Sequence, residues 1–317
     1  MIVTITLNPA IDKSFSVESM IPEKKLRCKN MQTEPGGGGI NVSKALAELG
    51  TKSLAIFPSG GLNGQLLEEF MTGMNIEFRS LPITGETRES LTVDEAKSGS
   101  QYRFVFPGPS INQSDIENLF GLLSSIQPTP TYIVSSGSLP PGGPEDFFKQ
   151  LAAYSKSINA RCIIDTSGKP LELALQEGVF LLKPNMSELC LLAGKDRLEL
   201  SEVDDAAMDI ISKGESEVIV VSLGPSGALL VTRDGYEHIP APTVKKQTTV
   251  GAGDSMVAGI IHKLSQGSTI KEAVQFGVAC GTAATMNKGT ELFRLEDVRK
   301  LFEWMVHHSE KQKLNFT

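Results

Sequence analysis

Short apolar segments alternate with longer segments of helical periodicity through most of the chain. A short apolar run bounded by turn residues is typical of a strand buried on both faces. The predicted buried strands are Ile2–Leu7, Ser53–Phe57, Tyr132–Ser135, Arg161–Asp165, Phe180–Leu182 and Glu217–Val221. The predicted helices are Ile40–Leu49, Gly64–Thr72, Ser114–Ile126, Pro144–Ser157, Glu202–Ser212, Ala252–Ser265 and Ile270–Met286. The alternation indicates βαβ units, and therefore an α/β fold whose mostly parallel sheet is covered by helices on both faces.

Two regions depart from this alternation. They hold half-apolar extended segments at Lys13–Glu18, Arg27–Thr33, Glu89–Glu95 and Gln101–Phe106, the last two separated by a turn at Gly99. Such strands need a cover for their apolar face. We expect a small antiparallel sheet from about 13–35 and 88–106, inserted into a single domain spanning 1–317. It would be a lid over a cleft or a dimer surface, and the pattern equally allows an antiparallel extension of the main sheet.

Composition narrows the class of protein. The 317 residues carry a formal net charge of -7, which argues against a nucleic-acid partner. No apolar run is long enough to span a membrane, and the first residues lack the pattern of a signal peptide. The four cysteines show neither a CxxC pair nor metal-ligand spacing. We expect a cytoplasmic protein without membrane contact.

The segment Thr248–Ser255 carries the most specific chemical signal. Gly251-Ala252-Gly253 directly precedes a predicted helix, so unpaired N–H groups there would form an anion hole reinforced by the helix dipole. Asp254 would compete with an anion in that place, unless it accepts a proton from a hydroxyl that attacks a bound phosphoryl group. The alternative is an ordinary acidic residue in the first turn of a helix.

A second glycine-rich segment, Gly36–Gly39, leads through Ile40 and Asn41 into a helix. Consecutive glycines indicate that the backbone approaches something closely, and a sugar is one candidate. Gly37, Gly38 and the Asn41 amide would then contact its hydroxyl groups, although a flexible turn explains the glycines equally well. The segment matches neither the dinucleotide fingerprint nor the P-loop pattern.

Further polar residues follow other predicted strands. Asp12 comes just after the first strand, where ligands of parallel sheets collect, although it could equally be a turn residue. Arg88 and Arg27 are candidates to bind a substrate phosphate, with solvated surface charges as the alternative.

Two loops in the second half could serve a nucleotide. Asn185 and Glu188 lie on one face of a helical turn and could orient waters around Mg²⁺, or could simply form a capping box. The loop Ser222–Gly227 would let a nucleotide pass close to the backbone, or it is a tight turn.

Taken in order, these motifs resemble the PfkB/ribokinase carbohydrate kinases. The resemblance rests on Thr6–Asp12, the Gly36–Gly39 loop, Lys183-Pro184-Asn185-Met186-Ser187-Glu188 and Val250–Ser255, and it covers essentially the whole chain. It implies a ribokinase-like three-layer α/β/α fold with a lid. The flanking segments, and Gly38 in place of the lysine usual in 1-phosphofructokinases and tagatose-6-phosphate kinases, are similar to the 6-phosphofructokinases of the family.

The resemblance implies roles for individual residues. Asp254 would be the base, with Gly251, Ala252 and Gly253 as the anion hole. The sugar phosphate would be held by Asp12, Gly37, Gly38, Asn41, Arg88 and Ser136. The nucleotide site would contain Lys183, Asn185, Ser222, Gly224 and Gly227, completed by Lys25 from a partner subunit. Glu188 would act on Mg²⁺ through water, and a monovalent cation such as K⁺ would lie near Thr248, Val250 and Asn287.

These roles imply ATP-dependent phosphorylation of fructose 6-phosphate by a homodimer joined through the lid sheet. The alternatives are a 1-phosphofructokinase, a tagatose-6-phosphate kinase, or a non-catalytic sugar-phosphate sensor on the same fold.

Overall fold

The computed structural model of the protein describes residues 1–287 and 291–314, with side chains as far as residue 307. Its strands are β1 (Ile2–Ile5), β2 (Ala10–Val17), β3 (Lys29–Gly36), β4 (Leu54–Ser59), β5 (Glu77–Pro82), β6 (Arg88–Glu95), β7 (Gln101–Val105), β8 (Tyr132–Ser136), β9 (Arg161–Asp165), β10 (Val179–Leu182), β11 (Ser216–Ser222), β12 (Ala228–Thr232) and β13 (Gly235–Ile239). Its helices are α1 (Gly38–Glu48), α2 (Gly61–Gly73), α3 (Gln113–Ser124), α4 (Phe147–Ser157), α5 (Lys169–Glu177), α6 (Met186–Leu192), α7 (Val203–Ser212), α8 (Ala252–Ser265), α9 (Ile270–Ala284) and α10 (Leu295–Leu314).

The main sheet has nine strands in the order β13-β12-β11-β10-β9-β8-β1-β4-β5. The seven neighbouring strands β11, β10, β9, β8, β1, β4 and β5 are parallel, and β12 and β13 add an antiparallel edge. Along each strand, alternate side chains enter two separate cores: Ile133 and Ile164 face one, while Val134 and Ile163 face the other. The predicted mostly parallel three-layer fold is confirmed. No helix of residues 1–287 and 291–314 is long and apolar enough to cross a membrane.

The second sheet contains four strands in the order β3-β2-β6-β7 and is separate from the main sheet. The expectation of a small distinct sheet is therefore right, and the alternative of an extension of the main sheet is wrong. The expectation that all its strands are antiparallel is also wrong, because β2 and β6 pair in parallel from Ala10↔Arg88 to Val17↔Glu95. The two strands enter the sheet from the same end, since each follows directly from the carboxyl edge of the main sheet.

Candidate active site

Asp254 lies in the first turn of α8, where the backbone supplies unpaired donors. Gly251 precedes the helix with a left-handed φ of 70°, a conformation that favours glycine. The first regular bond of the helix runs from Ser255 N to Gly251 O at 2.9 Å. The N–H groups of Gly253 and Asp254 have no backbone acceptor among the described residues, whereas Ala252 N lies 3.5 Å from Thr249 O. Unpaired N–H groups at a helix N-terminus can bind an anion.

Two side chains hold the carboxylate of Asp254. Asn41, from the start of α1, donates its Nδ2–H to Asp254 Oδ2 at 2.9 Å, and Ser136, the last residue of β8, donates its hydroxyl to Oδ1 at 3.0 Å. Burial, together with the nearby charge of Asp165, raises the pKa of Asp254 to about 6, although both hydrogen bonds and Lys183 act in the opposite direction. A carboxylate with this pKa is ionised at neutral pH and poised to accept a proton.

Asp165, at the carboxyl end of β9, is a site residue to which the sequence analysis gave no role. One of its oxygens lies 3.3 Å from Lys183 Nζ, and the other lies 3.4 Å from the Ser136 hydroxyl. Burial lowers the pKa of Lys183, but Asp165, Glu188 and Asp254 outweigh that effect and raise it above its ordinary value. The site thus keeps one permanent cation among three carboxylates. The position of Asp165 at a strand end was the available signal.

The four glycines of the Gly36–Gly39 segment are required by close packing against the protein itself. A Cβ on Gly37 would lie 2.6 Å from the Thr6 methyl group, and one on Gly38 would lie 2.6 Å from the carbonyl carbon of Ser136. The main chain of the segment therefore wraps around the ends of β1 and β8. This packing delivers Asn41 to Asp254, so the interpretation of the segment as a flexible turn is wrong.

Asp12 and Arg88 lie on the paired strands β2 and β6 and face the same region. Burial raises the pKa of Asp12, while Lys44, Arg88 and Arg103 lower it, so Arg103 of β7 also lies near this carboxylate. Arg88 donates its Nε–H and Nη2–H to the carbonyl oxygen of Asn8, at 3.2 and 3.1 Å. Its third nitrogen, Nη1, is buried and has no hydrogen-bond partner among the described residues. An unpartnered buried guanidinium nitrogen is suited to an anionic substrate group.

A cavity of about 480 Å³ adjoins the N-terminus of α8. Its lining includes the residues predicted for the nucleotide, and also Ala252 and Gly253 from the start of α8. The predicted members are Lys183, Asn185, Ser222, Gly224 and Gly227. Apolar residues such as Val244 and Val278 cover another part of the wall. The lining thus combines the charged Lys183 with apolar side chains, a mixture suited to an adenine nucleotide.

Asn185 and Glu188 form the capping box of α6. Glu188 N donates to Asn185 Oδ1 at 2.9 Å, and Asn185 N donates to Glu188 Oε2 at 2.8 Å. Burial raises the pKa of Glu188, and the charge of Asp165 adds to that effect. The capping-box interpretation is therefore right. Glu188 also remains a carboxylate close enough to Asp165 for the two charges to interact. The described residues contain no cluster of three or more metal-binding side chains.

The remaining predicted residues lie around this centre. Thr248 Oγ1 accepts the N–H of Val250 at 3.1 Å, and Asn287 Nδ2 donates to Leu292 O at 3.1 Å. The chain at 247–248 is bonded to Thr285 O, which brings these two segments side by side. Lys25 is exposed in the loop between β2 and β3 and does not line the cavity.

A sheet of this topology, with a buried carboxylate at a helix N-terminus beside a nucleotide-sized cavity, is typical of α/β small-molecule kinases. Residues 2–297 match the pattern of the pfkB family carbohydrate kinases, and the chain belongs to that family.

Curated relatives and solved structures cover nearly all of the chain. It is 40% identical to the ATP-dependent 6-phosphofructokinase isozyme 2 of Escherichia coli (strain K12), over 96% of this chain and 98% of that protein. It is 32% identical to the 1-phosphofructokinase of Bacillus subtilis (strain 168), over 92% of this chain and 96% of that one. The crystal structure of phosphofructokinase-2 from Escherichia coli in complex with potassium superposes with a TM-score of 0.91, covering 96% of this chain and 99% of that chain.

Proposed function

We propose that this protein is an ATP-dependent 6-phosphofructokinase, which transfers the γ-phosphoryl group of ATP to the 1-hydroxyl of fructose 6-phosphate, a step of glycolysis. The observation that carries the proposal is the buried Asp254 carboxylate, held by Asn41 and Ser136 and adjacent in the chain to Ala252 and Gly253, which line the cavity. The higher identity to a 6-phosphofructokinase than to a 1-phosphofructokinase supports this choice of acceptor.

The chemistry follows from the positions of these groups. Asp254 accepts the proton of the sugar hydroxyl as its oxygen bonds to the γ-phosphorus, and ADP leaves on the opposite side. The unpaired N–H groups at the start of α8 and the buried ammonium of Lys183 would stabilise the charge of the transferring group. Because these donors are fixed by the helix terminus and by Asp165, they need no reorganisation during the reaction.

The sugar phosphate is assigned to the region between the two sheets. Asp12, Gly37, Gly38 and Asn41 would contact its hydroxyl groups, and the unpartnered Nη1 of Arg88 would bind its phosphate. Ser136, assigned to the same substrate, also orients the base. Closure of the small sheet as a lid would exclude water, which otherwise competes as the acceptor.

Mg²⁺ fits the two carboxylates Asp165 and Glu188: burial first, and then the charge of Asp165, raises the pKa of Glu188, and a cation would relieve both effects. Mg²⁺ usually keeps several waters and takes only one or two carboxylates besides substrate phosphates, which agrees with a site of this kind. When bound, it supplies positive charge to the phosphate oxygens. Glu188 would act through water, since its Oε2 already accepts the N–H of Asn185.

We extend the proposal to K⁺ and to a homodimer. The segments that contain Thr248, Val250 and Asn287 would hold a monovalent cation beside the anion hole, and a bound potassium in the related structure supports this. In a dimer joined through the small sheets, Lys25 of each subunit would reach the nucleotide of the other. We also propose a cytoplasmic location, where ATP and sugar phosphates are found.

The test is ADP release, measured with ATP and Mg²⁺ and with fructose 6-phosphate, fructose 1-phosphate and tagatose 6-phosphate in parallel. We expect the highest kcat/KM with fructose 6-phosphate. A preference for either of the other sugars would preserve the kinase mechanism and refute the assigned acceptor. Absence of ADP release with all three sugars would instead favour a sensor.

A further inference from the structure

Glu95, the last residue of β6, is a buried carboxylate surrounded by neutral donors. It accepts the backbone N–H of Met20 at 2.7 Å and the hydroxyls of Ser19 and Ser98 at 3.0 and 2.5 Å, with the Tyr102 hydroxyl farther away at 3.4 Å. An ionised carboxylate offers about four acceptor positions, and four donors meet them here. The residue is only 8% exposed.

These donors come from two separate parts of the chain. Ser19 and Met20 begin the loop that joins β2 to β3, whereas Ser98 and Tyr102 belong to the hairpin formed by β6 and β7. The two parts are also joined by backbone bonds from Ala96 N to Val17 O and from Lys97 N to Glu18 O, at 2.9 and 3.1 Å. Glu95 is therefore the side chain that ties the base of the loop to the hairpin.

The hydrogen bonds account for the charge of Glu95 without an ion pair. The hydroxyl of Ser98, the N–H of Met20 and the hydroxyl of Ser19 lower the pKa of Glu95, and no cationic side chain contributes to that shift. A carboxylate kept ionised by hydrogen bonds alone acts as a structural tie. Loss of its charge would weaken every one of these bonds together.

The chain beyond this tie, from the loop to the first residue of β3, is strongly basic in an acidic protein. Within the described part of the chain its cations are exposed and form no ion pair, and they are Lys24, Lys25, Arg27 and Lys29. Both substrates of the proposed reaction are polyanions. A basic loop raises the local concentration of such substrates only where its origin is fixed relative to the cleft, because a free loop spreads its charges over many positions.

We propose that Glu95 is a positioning residue of the phosphoryl transfer: it fixes the base of loop 18–28 and so holds Lys25 where, in the proposed dimer, it meets the nucleotide of the partner subunit. This inference rests on the proposed function, in which Lys25 contacts ATP. Glu95 itself touches no reacting atom, so its contribution lies in substrate binding.

The kinetic test compares Glu95→Gln with Asp94→Asn. The first keeps the shape of the side chain and removes the charge that the donors need. The second removes a carboxylate from the neighbouring position of the same strand, where it accepts the Gln101 amide at 2.9 Å. We expect E95Q to raise the KM of ATP about tenfold, as for loss of a hydrogen bond to a charged group, with kcat little changed. D94N is expected to leave KM unchanged.

A double variant tests the route of the effect. If Glu95 acts through Lys25, E95Q added to Lys25→Gln will change the KM of ATP far less than E95Q alone. An equal effect in both backgrounds would overturn the proposal, because Glu95 would then act on ATP by another path.

Trypsin gives a readout that needs no turnover. It cleaves after lysine and arginine, and the basic stretch from Lys24 to Lys29 offers four such bonds. We expect E95Q to increase cleavage there about tenfold relative to the wild type and to D94N, since the freed loop opens more often. Unchanged cleavage in E95Q would refute the tie. Increased cleavage with an unchanged KM would show a tie without a role in catalysis, and would also overturn the proposal.

A weaker variant and the activity of the wild-type protein serve as further controls. Should E95Q fail to fold, Ser19→Ala removes a single donor, and we expect smaller changes of KM and cleavage in the same directions. An inactive wild-type protein would refute the proposed function, whereas the cleavage result would still report on the tie.

Discussion

The ionised carboxylate of Asp254 destabilises the folded protein. Burial and the neighbouring Asp165 oppose its ionisation, and Asn41, Ser136 and Lys183 only partly offset them, which leaves its pKa at about 6. The shift from the ordinary value of 3.8 corresponds to about 3 kcal/mol of lost stability at neutral pH. The same shift makes the carboxylate a stronger base. At this residue, stability and activity are therefore opposed.

Replacement of Asp254 by Asn separates these two effects. The amide can still accept from Asn41 and can donate to the Ser136 oxygen, but it cannot take a proton. We expect turnover to fall by about 10²–10⁴, the usual contribution of a general base, with substrate affinities little changed. We also expect the melting temperature to rise by several degrees, because an unfavourable buried charge is gone. Asp234→Asn, at an exposed turn, is the control and should change neither quantity.

The pH dependence of the same group has opposite signs for rate and stability. The rate needs the ionised carboxylate, so kcat/KM should fall as the pH drops through about 6. The folded protein binds this proton more tightly than the unfolded chain. Its stabilising contribution is therefore complete below the ordinary pKa of 3.8 and is lost as the pH rises through about 6. Chemical denaturation of the wild type and D254N between these pH values checks the sign, and parallel curves would contradict the assignment.

At the scale of elements, the Gly36–Gly39 segment shows why the first two residues of α1, Gly38 and Gly39, cannot carry side chains. We expect Gly38→Ala to lower kcat by about a hundredfold, because the added methyl group would displace Ser136 and disturb its bond to Asp254. The control is Gly121→Ala in α3, where a Cβ meets nothing within 4 Å. That change should instead stabilise the protein by about 1 kcal/mol through helix propensity. Steady-state kinetics and melting temperatures of both variants provide the measurement, and an active G38A would refute the packing argument.

The buried parallel strands and α8 were predictable from the sequence because their signals are local. The observed β9 and α8 have the predicted bounds, Arg161–Asp165 and Ala252–Ser265. A run such as Arg161–Asp165 enters two cores at once, and its apolar character does not depend on its neighbours. Gly251 and Gly253 indicated the N-terminus of α8, since glycines at this spacing are simply explained by a turn that begins a helix.

Elements that depend on partners were not predicted. The edge strands β5 and β13 have mixed polar patterns, since one or both faces are partly exposed, and α5 and α6 are short. The parallel pairing of β2 with β6 is a property of two segments far apart in the chain. Asp165 was recognised as the end of a strand, but its contact with Lys183, which directly follows the neighbouring strand β10, required the sheet order. The sequence therefore predicted which segments form the candidate site, whereas the charged residue that interacts with Lys183 was identified only from the structure.

At the scale of the whole molecule, one face of the small sheet carries aromatic side chains that the chain itself leaves partly uncovered. The register places Lys13, Leu91 and Phe104 in one row across β2, β6 and β7, and Phe15, Val93 and Tyr102 in the next. Asp12, Ser90 and Val105 form a row on the opposite face, the face of the active site. Phe104 is 44% exposed and Tyr102 is 39% exposed. Aromatic side chains in this position are typical of a protein interface.

The proposed dimer through this face predicts that one substitution changes assembly and catalysis together. Phe104→Glu would place a charge among these aromatic side chains, on the edge strand β7, and we expect a monomer by size-exclusion chromatography with light scattering. Because Lys25 would serve the nucleotide of the other subunit, the monomer should also show a KM of ATP raised by about tenfold or more. Leu62→Glu is the matched control, because Leu62 is an exposed apolar residue of α2, outside the small sheet. This variant should remain dimeric and active. A monomeric F104E with unchanged kinetics would separate assembly from catalysis and restrict the nucleotide site to a single chain, whereas a dimeric F104E would place the interface elsewhere.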